Sequence, residues 1–134
     1  MNFDIQHAIQ ILERTPAVIE SMLSGISPEW HTADEGENTW SPYDIVGHLI
    51  HGEMTDWIER AEIILSADRE KTFRPFDRFA QFENSKGKAL EQLIDEFKTL
   101  RRQNIAHLKK LAINADTLPL KGMHPALGEV TLQQ

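Results

Sequence analysis

The chain is 134 residues long, 40% hydrophobic and 26% charged, which is the profile of one soluble domain with a single core. It contains no cysteine, so a disulfide scaffold, a thiolate nucleophile, a cysteine-ligated zinc site and an iron–sulfur cluster are excluded; six histidines and the carboxylates remain as metal donors. Lys and Arg number 14 against 21 Asp and Glu, and the formal charge of -7 repels phosphate backbones and argues against nucleic-acid binding.

No long apolar run precedes the first arginine, Arg14, so neither a signal peptide nor a membrane span is expected, and the location expected is cytoplasmic. Ile5, Ile9, Leu12, Ile19, Leu23 and Ile26 form one stripe along a helix from about Asp4 to Gly25, with Asp4 as its cap. Pro16 cannot donate to the carbonyl of Leu12, so the helix is expected to bend there. Residues 27 to 40 lack a period and read as a loop. Ser41 as N-cap, Pro42 at the first helical position and Asp44 at the third then mark the start of a second helix, expected to run to about Ala67.

Residues 68 to 84 form a connection in which Phe73, Phe76, Phe79 and Phe82 recur every third position, a short helical turn or crossover. An aromatic plug for the core is the favoured reading over a lid facing substrate. A third helix is expected from about Ser85 to Asn114, with Leu90, Leu93, Ile94, Phe97, Leu100, Ile105, Leu108 and Leu111 as its stripe. Residues 115 to 130 make another long connection, and Thr131 looks like one more N-cap with three residues after it. The expectation is therefore an all-α domain over residues 1 to 134, an up-down four-helix bundle whose fourth helix is missing or only begun. Such a bundle exposes an apolar groove, to be filled by a partner, by a further segment or by rearrangement.

His48 and His51 lie one turn apart on the second helix, and neutral imidazoles at that spacing can seed a zinc, nickel or iron site. The surrounding pattern is neither HExxH nor HxxEH. Projected at about 100° per residue, Ile45, Val46, Leu49, Ile50, Met54, Trp57, Ile58, Ala61 and Ile64 form an apolar arc, while His48, His51, Thr55, Glu59 and Glu62 lie opposite. A solvated face is the favoured reading of that polar side, although the wall of a wet cleft would give the same projection. Glu53, Asp56 and Arg60 fall within or beside the arc, where a buried ion pair of Glu53 or Asp56 with Arg60 is favoured over a catalytic carboxylate. His7, His31 and His107 read as surface or loop residues, and His124 before Pro125 either reaches a cleft mouth or serves turn chemistry. No GxGxxG, P-loop or GxSxG occurs.

The run from Asn38 through Trp40, Ser41, Pro42, Gly47 and His48 to Leu49 resembles the DinB-like (YfiT-like) superfamily of bacterial four-helix proteins. Arg14-Thr-Pro16, the segment from Arg74 to Ala80, and His124-Pro-x-x-Gly128 agree with it, so the resemblance spans essentially the whole chain. It implies a four-helix bundle holding a divalent metal, nickel or zinc, through one histidine of the second helix and an H-x-x-x-H pair of the fourth. The second-helix ligand matches His48; the pair has no counterpart here, so the metal is implied with an incomplete ligand set and is expected to be absent from this chain by itself. His51, Glu53, Asp56 and His124 are then the candidates for a surrounding shell or cleft. The resemblance further implies a metal-dependent hydrolase or thiol S-transferase acting on a small molecule or a low-molecular-weight thiol, with pairing of two copies through helix faces. The alternative is a metal-free helical scaffold that dimerises or binds another chain through its exposed groove.

Overall fold

The computed structural model describes residues 3 to 134. Helix α1 spans Ile5–Leu23, opened by Asp4, whose carboxylate accepts from the backbone N–H of His7 and of Gln6; those two bonds hold its pKa below the usual carboxylate range. Helix α2 is a single turn, Pro28–His31, inside the stretch expected to be a loop. Helix α3 spans Pro42–Thr55 and α4 spans Trp57–Leu65. The start of α3 is as expected: the Ser41 side chain accepts from the Asp44 N–H while the Asp44 carboxylate accepts from the Ser41 N–H at 3.0 Å. Helix α5 covers Ala80–Ser85 and α6 covers Leu90–Leu108.

One expected helix is therefore subdivided, and another starts late and ends early. Asp56, at φ -119° and ψ -95°, leaves helical geometry and separates α3 from α4. The expected third helix is shortened to Leu90–Leu108 at its start because Gly87 takes φ +80°, a left-handed conformation that suits glycine, and turns the chain out of α5, which is the short helical turn expected of the crossover. The Tyr43 hydroxyl secures that corner through the carbonyls of Ser85 and Lys88, and α6 then starts where the Ala89 N–H is taken by the Gln92 side chain at 2.7 Å.

Helix α6 is the common partner of α1 and α3. Val46 and Ile50 of α3 meet Leu90, Leu93, Ile94 and Phe97 of α6 in the main core, and Ile9 of α1 joins Ile105 and Leu108 in a second cluster. Pro16 is buried inside an uninterrupted α1. Its missing N–H frees the Leu12 carbonyl, and Arg101 of α6 donates to that oxygen at 3.1 Å. The proline thereby creates an acceptor that helps fasten α1 to α6.

The last connection is not a plain loop. Strand β1, Lys121–His124, pairs antiparallel with β2, Gly128–Thr131, in the register Lys121 opposite Thr131 and His124 opposite Gly128. The expected helical cap at Thr131 is instead the last residue of β2, although its N–H is taken by the Gln134 side chain at 2.9 Å, the kind of bond an N-cap makes with the third helical residue. No fourth long helix follows α6 among the described residues. The hairpin docks on the crossover, with Met123 N–H to Lys71 O at 2.8 Å and Phe73 N–H to Met123 O at 2.9 Å.

Gly122 makes that docking possible. A Cβ there would lie 2.5 Å from Phe73 Cζ and 2.9 Å from Ile64 Cγ1, and Phe73 is itself only 3% exposed. Gly122→Ala is therefore expected to destabilise the fold by about 1–3 kcal/mol through overpacking, measurable by urea denaturation. An unchanged midpoint would show that the ring moves freely.

Candidate metal-ligand cleft

The aromatic crossover shapes the site. Phe73 is buried and Phe76 half-buried, while Phe79 and Phe82 lie at the surface with ring centroids 6.3 Å apart; the plug is thus made by two of the four rings. Phe76 lies edge-on to His48 at 5.3 Å and against His51 at 4.8 Å, and Trp40 meets the other imidazole, His48, at 4.9 Å. His48 is half-buried, and its Nδ1 has no hydrogen-bond partner among the described residues.

This packing corrects the projection of the second helix. His51, assigned to the polar side, is 7% exposed, whereas Ile45 and Met54, assigned to the apolar arc, are 46% and 56% exposed. The reason is that α3 is covered on two sides: α6 takes one, and α5 with the crossover takes the other, over His51. The His51 Nδ1 is buried without a partner among the described residues, and its Nε2 stands 3.5 Å from the Thr55 hydroxyl. Gln81 of α5, against the same face of α3 at Gly47, is 1% exposed with both side-chain amide atoms unpartnered among the described residues.

The ion pairing also differs from expectation in part. Asp56 does pair with Arg60, at 2.7 Å, but both side chains are half-buried. Glu53 instead reaches across to α6: Arg101 Nη2 is 2.6 Å and Nε 2.8 Å from its Oε1, and Asn104 Nδ2 donates to Oε2 at 2.9 Å and to the Glu53 carbonyl at 2.7 Å. The side chains of Arg101 and Glu53 are 9% and 2% exposed. Arg101 and Asn104 went unnoticed in the sequence, yet a signal existed, since Arg101 falls between Phe97 and Ile105 at steps of four on the inner face of α6.

His48, Glu53, Asp56, Arg60 and Arg101 line one cleft of about 410 Å³ together with Phe76. His51 is held under the crossover beside it, and His124 sits on the hairpin in a separate cavity that it shares with Asp56 and Arg60. No group of three or more His, Asp or Glu side chains among the described residues is arranged to hold a metal ion. Of the donors in the cleft, His48 has an unpartnered ring nitrogen, Glu53 is hydrogen-bonded and ion-paired to Arg101, and Asp56 is ion-paired to Arg60 although its Oδ1 makes no hydrogen bond among the described residues. The donor set present does not amount to a metal centre of three protein ligands.

Residues 11 to 134 match the family model of the DinB superfamily. The chain belongs to that superfamily. No curated protein matches this DinB-superfamily chain. Among solved structures it is similar to YfiT from Bacillus subtilis, described as a probable metal-dependent hydrolase with an unusual four-helix bundle topology. The TM-score is 0.74 at 22% identity, over 93% of this chain and 71% of that one, a likeness of fold. The helical architecture expected from the sequence is the architecture found, with one small two-stranded sheet added in the last connection. No helix among the described residues is long and apolar enough to cross a membrane.

Proposed function

We propose that this DinB-superfamily chain is a metal-dependent enzyme of the hydrolytic class to which α3 contributes one imidazole, His48, facing a small-molecule cleft. The observation that supports the reading is the state of that side chain: its Nδ1 is buried and unpartnered among the described residues, beside Glu53 and Asp56, each of which is ion-paired to an arginine. Glu53 then acts through Arg101 as a fixed wall of the cleft, and Trp40 and Phe76 orient the His48 ring. Further donors for a nickel or zinc ion have to be brought to His48, by a second copy, another segment or rearrangement.

The test is a titration of the protein with nickel(II), followed by the ring signals of its six histidines. The His48 signals are expected to broaden first, and His48→Ala is expected to abolish this uptake while leaving helix content unchanged. If His48 stays sharp while the exposed His7 or His107 responds, the metal-enzyme reading fails.

A second reading, a metal-free scaffold that pairs with its own copy, is favoured by a stripe on α1: Ile11, Val18 and Met22 are 67%, 54% and 68% exposed. Sedimentation would show a dimer at micromolar concentration; a stable monomer contradicts it.

A further inference from the structure

His124 ends β1, and its Nδ1 accepts two backbone hydrogen bonds, from Ala126 N–H and Leu127 N–H, each at 3.1 Å. The donors are amides and cannot reverse, so this nitrogen is bare and the neutral ring carries its hydrogen on Nε2. The imidazole thus performs the task that an Asp or Asn side chain performs in an Asx turn, closing the three-residue link that Gly128 completes at φ +75°. A second proton would put an N–H on Nδ1 facing two other N–H groups, and the turn could not close in this form.

The turn is coupled to the cleft through backbone. Its strand β1 holds the crossover by the paired bonds of Met123 with Lys71 and Phe73, and the Phe73 ring lies edge-on to His124 at 6.2 Å. Three residues further along the same segment, Phe76 rests on His48 and His51. We propose that His124 is a proton-operated clasp: neutral, it closes the hairpin that holds the crossover over the cleft; protonated, it releases the turn and loosens Phe76 from His48.

The charged groups around His124 are few and mostly neutralised by one another. Asp56 and Arg60 share its cavity and pair at 2.7 Å; on the hairpin Lys121 pairs with Glu129 at 2.6 Å. On the crossover the Lys71 ammonium donates to the Ile64 carbonyl at 2.5 Å, and Arg74 lies 4.0 Å from Glu59. The charges of the hairpin are thus already paired with one another, and His124 is the residue whose ring nitrogen accepts from the turn amides.

The clasp operates whether or not His48 takes a metal, and metal-free protein is the sample for its test. In an NMR pH titration of the whole chain, the Ala126 and Leu127 amide protons are expected to shift with the midpoint of the His124 ring, and the Phe76 and His48 ring signals to follow. Protection of the Met123 amide, corrected for intrinsic exchange, is expected to fall about tenfold below that midpoint, as for loss of one hydrogen bond. His124→Asn keeps an acceptor that does not titrate, and its turn amides are expected to stay flat over the same range. Amides that ignore the His124 titration in the parent chain, or that move equally in His124→Asn, overturn the proposal.

Discussion

Glu53→Ala is expected to lower the stability of the protein by about 3–5 kcal/mol, the range for removing one partner of a buried ion pair, and to lower Tm by roughly 10–20 °C. Arg101 would be left at a 9% exposed position with its guanidinium facing the vacated carboxylate, able to keep its bond to the Leu12 carbonyl and its place 5.0 Å above the Phe97 ring. Asn104 would lose one of its two acceptors as well. The measurement is urea denaturation of the single variant beside Glu53→Leu with Arg101→Leu. Because an uncompensated charge is what destabilises, the double change is expected to be milder than Glu53→Ala by at least about 1 kcal/mol. A single variant within about 0.5 kcal/mol of the parent, the spread of ordinary surface substitutions, would mean that water reaches the pair freely.

Phe97→Ala is the other large effect, expected at about 3–5 kcal/mol. The ring is 0% exposed, packs in the core shared by α3 and α6, and forms the floor on which Arg101 rests. Its loss removes apolar contact and leaves a cavity beneath the buried ion pair, so the effect is expected to exceed that of Phe82→Ala, whose ring is 40% exposed. The denaturation midpoint should fall with the slope unchanged. Equal losses for the two substitutions would contradict the placement of the core.

Much of the helical scaffold is legible because it follows local rules. The Asp4 and Ser41 caps, the stripe of α1 and the inner face of α6 are all written in short-range spacing, and the residues that bear them lie where the spacing puts them. Gly87 marks a weak first turn in the sequence and the helix begins only after it, whereas the break at Asp56 is not legible, because that position does not stand out from an ordinary helical residue until the segment packed on it is known. The same holds for His51 and Met54. Their exposures are exchanged relative to the projection by the crossover, a tertiary contact that no period within α3 encodes.

At the site, the family pattern singled out His48, and the structure places it in a cleft with Glu53 and Asp56. It did not bring His51 into that lining, and it separated His124 to a hairpin that composition had reduced to turn formers. Of the two carboxylates expected to pair with Arg60, Asp56 does so, while the partner of Glu53 is 48 positions away on α6. Pairings over that distance are decided by how helices lie together, which periodicity alone does not report.

The ion pair between α3 and α6 thus ties together two points with the whole crossover strung between them. For a flexible link, each doubling of length adds only about 0.6 kcal/mol to the entropy of closure. Insertions between Arg74 and Phe79, where the side chains are mostly exposed, are therefore nearly neutral for folding while they redraw the roof above His48. A change of length in that stretch therefore reshapes the covering of the cleft while leaving the framework closed by the same ion pair.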